Sequence, residues 1–330
     1  MNHVERFHAV MNFQGFDRLP QIEWAYWWDK TIQRWQGEGL PLGFGDPYAI
    51  CDHFGLDPYY QHWFRACGPK CPKPPSLGAG ILADADDYRR LLPTLYADDV
   101  EGLRHLEAWA PRQKRGEAVL WITLTGFFWM PRSLLGVERH MYGLYDQPEL
   151  IHRINQDTTD FHLRMLKKVA GICRPDFMTF AEDMTYNHGP MLSKRLFDEF
   201  LAPYYRQVVP LLKEMGTTVL VDSDGLVDDL MGWMTQVGVQ GVLPLERQAG
   251  CDAARLRQVL PRLRMIGHFD KMVLTGGEPA IRQEFERLLP TMRSGGFIAS
   301  MDHQTHPGVS LDQYRLYLRL LKEYTEKAGG

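Results

Sequence analysis

The chain has 330 residues, 45% of them hydrophobic and 24% charged, with a formal net charge of −4. That composition suits a globular protein with ample material for a large core, and it offers no basic excess for nucleic acid or an anionic membrane. No stretch nears the ~20 apolar residues of a bilayer span, and the charged residues 1–17 lack the apolar region of a secretion signal, so a cytoplasmic protein is expected.

In chain order, a helix is predicted over Asn2–Asn12 and a first strand over Leu19–Trp24. An irregular, aromatic and Pro/Gly-rich region follows at about 26–77. Residues 79–84 are read as a second strand and Ala118–Thr125 as a third, with helices over Asp86–Leu95, Val100–Ala108 and Gln147–Gly171. The C-terminal half then alternates with a period of about 25–35 residues, the size of one strand–helix unit. Its strands are Asp176–Ala181, Thr217–Val221, Val239–Leu245, Leu263–Gly267 and Gly296–Met301. Its helices are Ser193–Met215, Leu226–Val237, Asp252–Leu260, Glu278–Arg293 and Leu311–Glu326. With no linker or low-complexity segment, the chain reads as one α/β domain over 1–330, a single (β/α)8 TIM barrel.

Each late strand is apolar until its end and then turns polar: FMTFAED, TVLVDSD, GVLPLE, RMIGHFD, FIASMDH. In a barrel these ends form one rim, the usual place for chemistry. Asp222 and Asp224 lie two residues apart on extended chain and point the same way, with Gly225 turning into the next helix. Asp224 also suits a helix N-cap. Glu182, Asp183, Glu246, His268, Asp270, Asp302 and His303 end the neighbouring strands. Carboxylates and histidines gathered this way serve either a divalent metal or general acid–base chemistry. A solvated rim charge accounts for any one of them, but not for the repeated position.

Trp24, Tyr26, Trp27 and Trp28 follow the first strand, and Phe127, Phe128 and Trp129 the third. Loop packing accounts for most such rings, whereas Trp27, Phe128 and Trp129 sit where a flat ligand would lie. Asn187 and His188 occupy a loop beside Glu182-Asp183; His306 reads as exposed. Five scattered cysteines, at 51, 67, 71, 173 and 251, suit reduced thiols. Cys67 and Cys71 have C-x₃-C spacing, but no second pair completes a finger, so they read as ordinary loop thiols. There is no G-x-G-x-x-G opening a strand–helix unit, no P-loop and no G-x-S-x-G elbow.

ERFHAVMNFQGFDRLP (5–20), GFFWMPRSLLG (126–136), AEDMTYNHGPMLSKRLFDEFLAPYYRQV (181–208), VDSDG (221–225), LPLE (243–246), GHFDK (267–271) and SMDHQTHPGVS (300–310) together resemble the uroporphyrinogen decarboxylase superfamily, in order and over nearly the whole chain. The resemblance implies the barrel fold and one of two activities. True decarboxylases of the superfamily carry an arginine-bearing R-Q-A-G-R segment after the first strand. Residues 21–28 here read QIEWAYWW, without an arginine, so a polyanionic tetrapyrrole would be held poorly. Methyltransferases of the second branch move a methyl group to the cobalt of a corrinoid protein, with zinc as Lewis acid. Those acting on thiols carry H-x-C-G where this chain has Asp222-Ser223-Asp224-Gly225, so neither the histidine nor the cysteine ligand is kept. A carboxylate/histidine set is harder and favours an oxygen-containing substrate.

The D-S-D-G, P-L-E and D-H pattern is similar to that of the substrate-side methyltransferases of methyl-ether demethylation. The implied function is demethylation of a methoxylated aromatic compound. Its methyl group would pass to a cobamide carried by a partner corrinoid protein, and zinc at Asp222, Asp224, Glu246 and His303 would assist. Asp183, His268 and Asp302 are the expected acid–base groups. Tyr26, Trp27, Phe128, Trp129, Glu182 and Asn187 are the expected substrate contacts. A homodimer is compatible with the sequence. The alternatives are a metal-free decarboxylase or lyase of a uroporphyrinogen-like or small carboxylate, and a ligand-binding barrel without catalysis.

Overall fold

The computed structural model describes residues 1–41 and 46–329; positions 42–45, part of the stretch expected to be irregular, lie outside the described residues. The strands in chain order are β1 (Tyr59–Phe64), β2 (Val119–Thr125), β3 (Phe177–Ala181), β4 (Thr185–Tyr186), β5 (Gly189–Pro190), β6 (Thr218–Asp222), β7 (Gly241–Leu243), β8 (Arg264–Phe269) and β9 (Phe297–Met301). Seven of them form one parallel sheet in the order β1-β2-β3-β6-β7-β8-β9, and β4 and β5 make a separate antiparallel hairpin. Parallel neighbours require long crossovers, and helices supply them, so β2, β3 and β9 are buried at every residue.

The late strands and helices lie where the apolar periodicity puts them. The stretch expected as the single helix 193–215 is instead two helices, Lys194–Phe200 and Ala202–Glu214, meeting at Leu201. Two expected strands take another form. Residues 19–24 are extended but make no ladder. Pro20 has no N–H, the Gln21 N–H goes to the Asp57 carboxylate at 3.0 Å, and the Trp24 N–H goes to Ser300 Oγ at 3.4 Å. This segment nonetheless touches both edges of the sheet: Tyr59 of β1 donates its hydroxyl to the Glu23 carbonyl at 2.6 Å, while Ser300 belongs to β9.

Residues 79–84 pack against the helix Trp129–Leu135, where the Ile81 and Leu82 N–H groups share the Leu134 carbonyl. A Cβ at Gly80 would lie 2.1 Å from the Leu135 carbonyl oxygen, so this backbone contact needs the glycine. The region expected to be irregular contains β1 and two helices, Asp29–Gly37 and Pro47–Phe54. β1 reads YYQHWF, a polar and aromatic edge strand whose Gln61 N–H and C=O both meet the Tyr48 hydroxyl.

Aromatic rings brace the lower part of the sheet. Phe7, Phe177, Trp121, Tyr59 and Tyr26 follow one another with centroids 5.1, 5.0, 6.0 and 6.2 Å apart. Above them a polar relay crosses β1, β2 and β3: Gln61 Nε2 donates to Thr123 Oγ1 and Trp121 Nε1 to Thr179 Oγ1, both at 2.9 Å, and the two threonine hydroxyls meet at 2.9 Å. Among the described residues, no helix is long and apolar enough to cross a membrane.

Candidate functional site

The ladder fixes which side chains meet. Thr125, Ala181, Asp222 and Leu243 are in register across β2, β3, β6 and β7, and Phe269 is in register with Met301 across β8 and β9. The residues that follow therefore emerge at one end of the sheet. Asp183, Leu245 and His268, all at such ends, have left-handed φ of +40°, +63° and +69°. Non-glycine residues in this region cost roughly 1–3 kcal/mol each and gather at functional sites.

Two triads share Asp224. Donor atoms of Asp224, Glu246 and His303 all lie within 4.8 Å of one another, as do those of Asp183, Asp222 and Asp224. His303 Nε2 is 3.7 Å from Asp224 Oδ2, and Glu246 is aimed by the Gly225 N–H at 2.9 Å. Burial, reinforced by Asp183 and Glu246 and opposed by Lys271, pushes Asp224 up to about 7. Burial and the flanking Asp183 and Asp224 raise Asp222 well above the usual carboxylate range. Asp183 is raised by burial against the pull of Arg132. His303 is lowered by burial and by Lys271, which favours the neutral ring that a metal needs.

Bonds of about 2.0–2.2 Å would place the ligand atoms of a tetrahedral zinc about 3.4 Å apart. The 3.7 Å separation above and the mixed N/O donor set of Asp224, Glu246 and His303 therefore fit such an ion. Cys67 and Cys71 are free thiols and join no such group among the described residues.

The other expected residues have different surroundings. Asp302 is buried and accepts N–H bonds from Arg247 at 3.0 Å and Lys271 at 3.3 Å; burial, offset by Lys271, leaves it at about 6. His268 is buried with both ring nitrogens engaged: Nδ1 meets the Leu245 carbonyl at 2.8 Å, and Nε2 accepts the Ala253 N–H at 3.1 Å. Burial lowers it to about 4. Its neutral ring thus braces the β7 and β8 ends and is not brought to either triad.

Glu182 is fully buried and accepts three successive N–H groups, from Phe127, Phe128 and Trp129 at 2.7, 2.8 and 3.1 Å, plus the Tyr205 hydroxyl. It shapes the loop after β2, and burial raises it to about 7 despite these donors. Trp27 packs among Trp35, Phe54 and Tyr314, and Phe128 is buried against His140. Tyr26 is half-buried between Tyr48 and Tyr59. Asn187 is exposed at the tip of the β4–β5 hairpin, which rests against Gly225: a Cβ there would lie 2.6 Å from Tyr186 Cα. Of these aromatics, Trp129 and, at 5.7 Å, the buried Phe128 are linked to the triads through Arg132, Trp129 the more closely. That guanidinium lies 4.4 Å over the Trp129 ring and donates to the Asp183 carbonyl at 2.7 Å.

Arg132 and Lys271 were not singled out from the sequence, although both lie inside the quoted motifs GFFWMPRSLLG and GHFDK. Trp24 was read as a loop aromatic. It donates Nε1–H to the Met301 carbonyl at 2.7 Å and stands edge-on to His303, centroids 6.1 Å apart. Only its place at the end of the expected first strand hints at this.

Residues 74–324 match the family model described as uroporphyrinogen decarboxylase (URO-D). A uroporphyrinogen decarboxylase from a Synechocystis species is 30% identical over 138 residues, 40% of this chain and 37% of that protein; the chain thus spans little more than a third of this relative's length. Among solved structures, a methyltransferase from Methanosarcina mazei has a TM-score of 0.66 at 16% identity, covering 98% of this chain and 99% of that one. The last likeness concerns the fold. The match over residues 74–324 makes this chain a member of the uroporphyrinogen decarboxylase family.

Proposed function

We propose that this protein is a methyltransferase that demethylates a methoxylated aromatic compound and passes the methyl group to the cobalt of a partner corrinoid protein. The observation that carries the reading is the grouping of Asp224, Glu246 and His303 within 4.8 Å at one strand-end rim. Asp222, two residues before Asp224, is the remaining candidate ligand. With residues 19–24 read as the eighth stave between β1 and β9, the sheet would curl into a (β/α)8 barrel whose mouth is this rim.

Zinc held there would act as a Lewis acid on the ether oxygen and stabilise the departing phenolate. The chain's own groups do the rest. Asp183, on the far side of Asp224, holds a proton for the leaving oxygen. Trp24 and Trp129 supply flat apolar surface beside the triads. Arg132 fixes the Trp129 ring and the Asp183 backbone. Asp302, tied to Lys271 at 3.6 Å, keeps that cation close to the rim.

A metal-free decarboxylase is the second reading, favoured by the 138-residue match to a curated decarboxylase. Arg132 and Lys271, the cations described at the rim, already face Asp183 and Asp302, which speaks against an anionic substrate there.

Elemental analysis of untagged protein purified without chelator separates the two. The expected result is about one zinc per chain, lost in Asp224→Ala and His303→Ala, with methoxyarene-dependent methylation of a reduced corrinoid protein. Full metal content and turnover in Glu246→Ala and His303→Ala would remove these roles. Absence of metal together with carbon dioxide release from a carboxylate would install the decarboxylase.

A further inference from the structure

The opposite end of the sheet, below β7 and β8, holds a cavity of about 370 Å³ that the chemistry at the rim does not use. Its polar lining is Lys213, Thr235, Gln240, Arg262 and Arg264, with no acidic residue. Thr235 spends its hydroxyl on the Gly232 carbonyl. Gln240 uses its carbonyl oxygen on the Val219 N–H at 3.0 Å, leaving its amide N–H groups free. Arg264 commits Nε to the Met11 carbonyl and Nη2 to Asn12, leaving Nη1. Among the described residues, neither Lys213 nor Arg262 has a hydrogen-bond acceptor, and none of the three cations has an ion-pair partner. The cavity therefore presents donors and positive charge almost alone.

Holding these cations together is unfavourable, and the chain goes out of its way to do it. Arg262 lies 4.1 Å over the Phe13 ring, with Arg257 at 4.9 Å over the same ring. Phe13 has a left-handed φ of +59°, an outlier for a bulky residue. Its ring fits against Gly296, where a Cβ would lie 2.2 Å from Phe13 Cζ. Burial and Arg262 both lower Arg264 and bring Arg257 down to about 10. A helix C-terminus favours a basic side chain and accounts for Lys213 at the end of Ala202–Glu214. It does not account for Arg262 and Arg264, which precede and open β8.

We infer that this cavity is a second binding site, for a small molecule bearing a phosphate or diphosphate group, held by Lys213, Gln240, Arg262 and Arg264. The volume falls within the usual range of small-molecule sites, about 300–1,000 Å³. The free guanidinium of Arg262 suits the paired oxygens of a phosphate, Arg264 adds a single donor through Nη1, and the lysine adds a point charge. The site stands at the far end of the strands from the triads, so its ligand does not compete with a substrate.

Calorimetric titration with pyrophosphate tests it at constant ionic strength, with sulfate and citrate as comparators. Wild-type protein is expected to bind one pyrophosphate saturably. Binding weakens at least tenfold in the Lys213→Ala/Arg262→Ala double variant and is largely restored in Arg262→Lys alone. Both positions are exposed. The unliganded double variant should therefore unfold at no lower temperature than the wild type, while losing the upward shift that pyrophosphate gives the wild type. No saturable binding, equal binding by the double variant, or citrate bound as tightly as pyrophosphate would each overturn the assignment.

Discussion

Glu23 should make the protein lose stability as the solution becomes more alkaline, and Glu23→Gln should abolish that loss. The side chain is 1% exposed. One carboxylate oxygen accepts the Ser300 hydroxyl at 3.2 Å; the other has no well-formed hydrogen bond and faces the buried Tyr317 hydroxyl. Burial pushes this carboxyl from 4.5 up to about 8. Between those values the folded chain keeps the proton while the unfolded chain has released it. The unfolded state therefore binds fewer protons, and stability falls as pH rises through the window, levelling off above 8. At 1.36 kcal/mol per pH unit the interval corresponds to about 5 kcal/mol, half of it spent by about pH 6.2.

The amide of Glu23→Gln keeps the shape and does not titrate. Urea unfolding of both proteins at pH 5, 6, 7 and 8 isolates Glu23, because Glu182, Asp224 and Asp302 titrate in both. The advantage of the variant should grow by about 1.4 kcal/mol per pH unit. A difference constant within about 0.5 kcal/mol over that range would refute a buried neutral carboxyl.

Other outcomes follow from the same geometry. Glu182→Ala strands three buried N–H groups and the Tyr205 hydroxyl; a loss of about 3–5 kcal/mol is expected in chemical denaturation. Gly126→Ala would drive a Cβ to 2.1 Å from Glu182 Cδ, so it should lower the thermal midpoint by several degrees and break the same loop. His268→Ala should cost about 2–4 kcal/mol of stability while leaving bound metal unchanged, because its ring holds backbone rather than the triads; loss of metal without loss of stability would contradict that placement. Trp24→Phe removes one hydrogen bond to the Met301 carbonyl and should cost about 1 kcal/mol, with a shifted pH titration of His303 by NMR as the sign that the two rings are coupled.

The parallel strands of the C-terminal half were legible because each is short, apolar on both faces and bounded by an amphipathic helix. Asp183, Asp222, Asp224, Glu246 and His303 were legible for a related reason: a strand buried on both sides has no place for charge until it ends. The N-terminal third was harder. β1 carries Gln61 and His62 in its middle because it is an edge strand, with side-chain partners where a neighbour's ladder would be. Residues 19–24 carry a strand-like pattern, yet Pro20 and the Asp57 carboxylate divert their hydrogen bonds. The roles of Glu182 and His268 were invisible for another reason. A charged or polar residue at a strand end reads alike whether it faces the mouth or turns back to tie down a loop; only the hydrogen-bond partners tell the two apart.

The left-handed backbone at Asp183, Leu245 and His268 also bears on how this rim can change over time. Glycine would relieve strain at each, but Leu245 and His268 are fully buried and would leave a void or orphaned backbone groups, so a chain selected for robustness alone would drift toward it only at Asp183. At Asp183 that drift would also delete a rim carboxylate. Asp183 is thus a place where a variant screened only for heat tolerance should gain durability while it loses its chemistry.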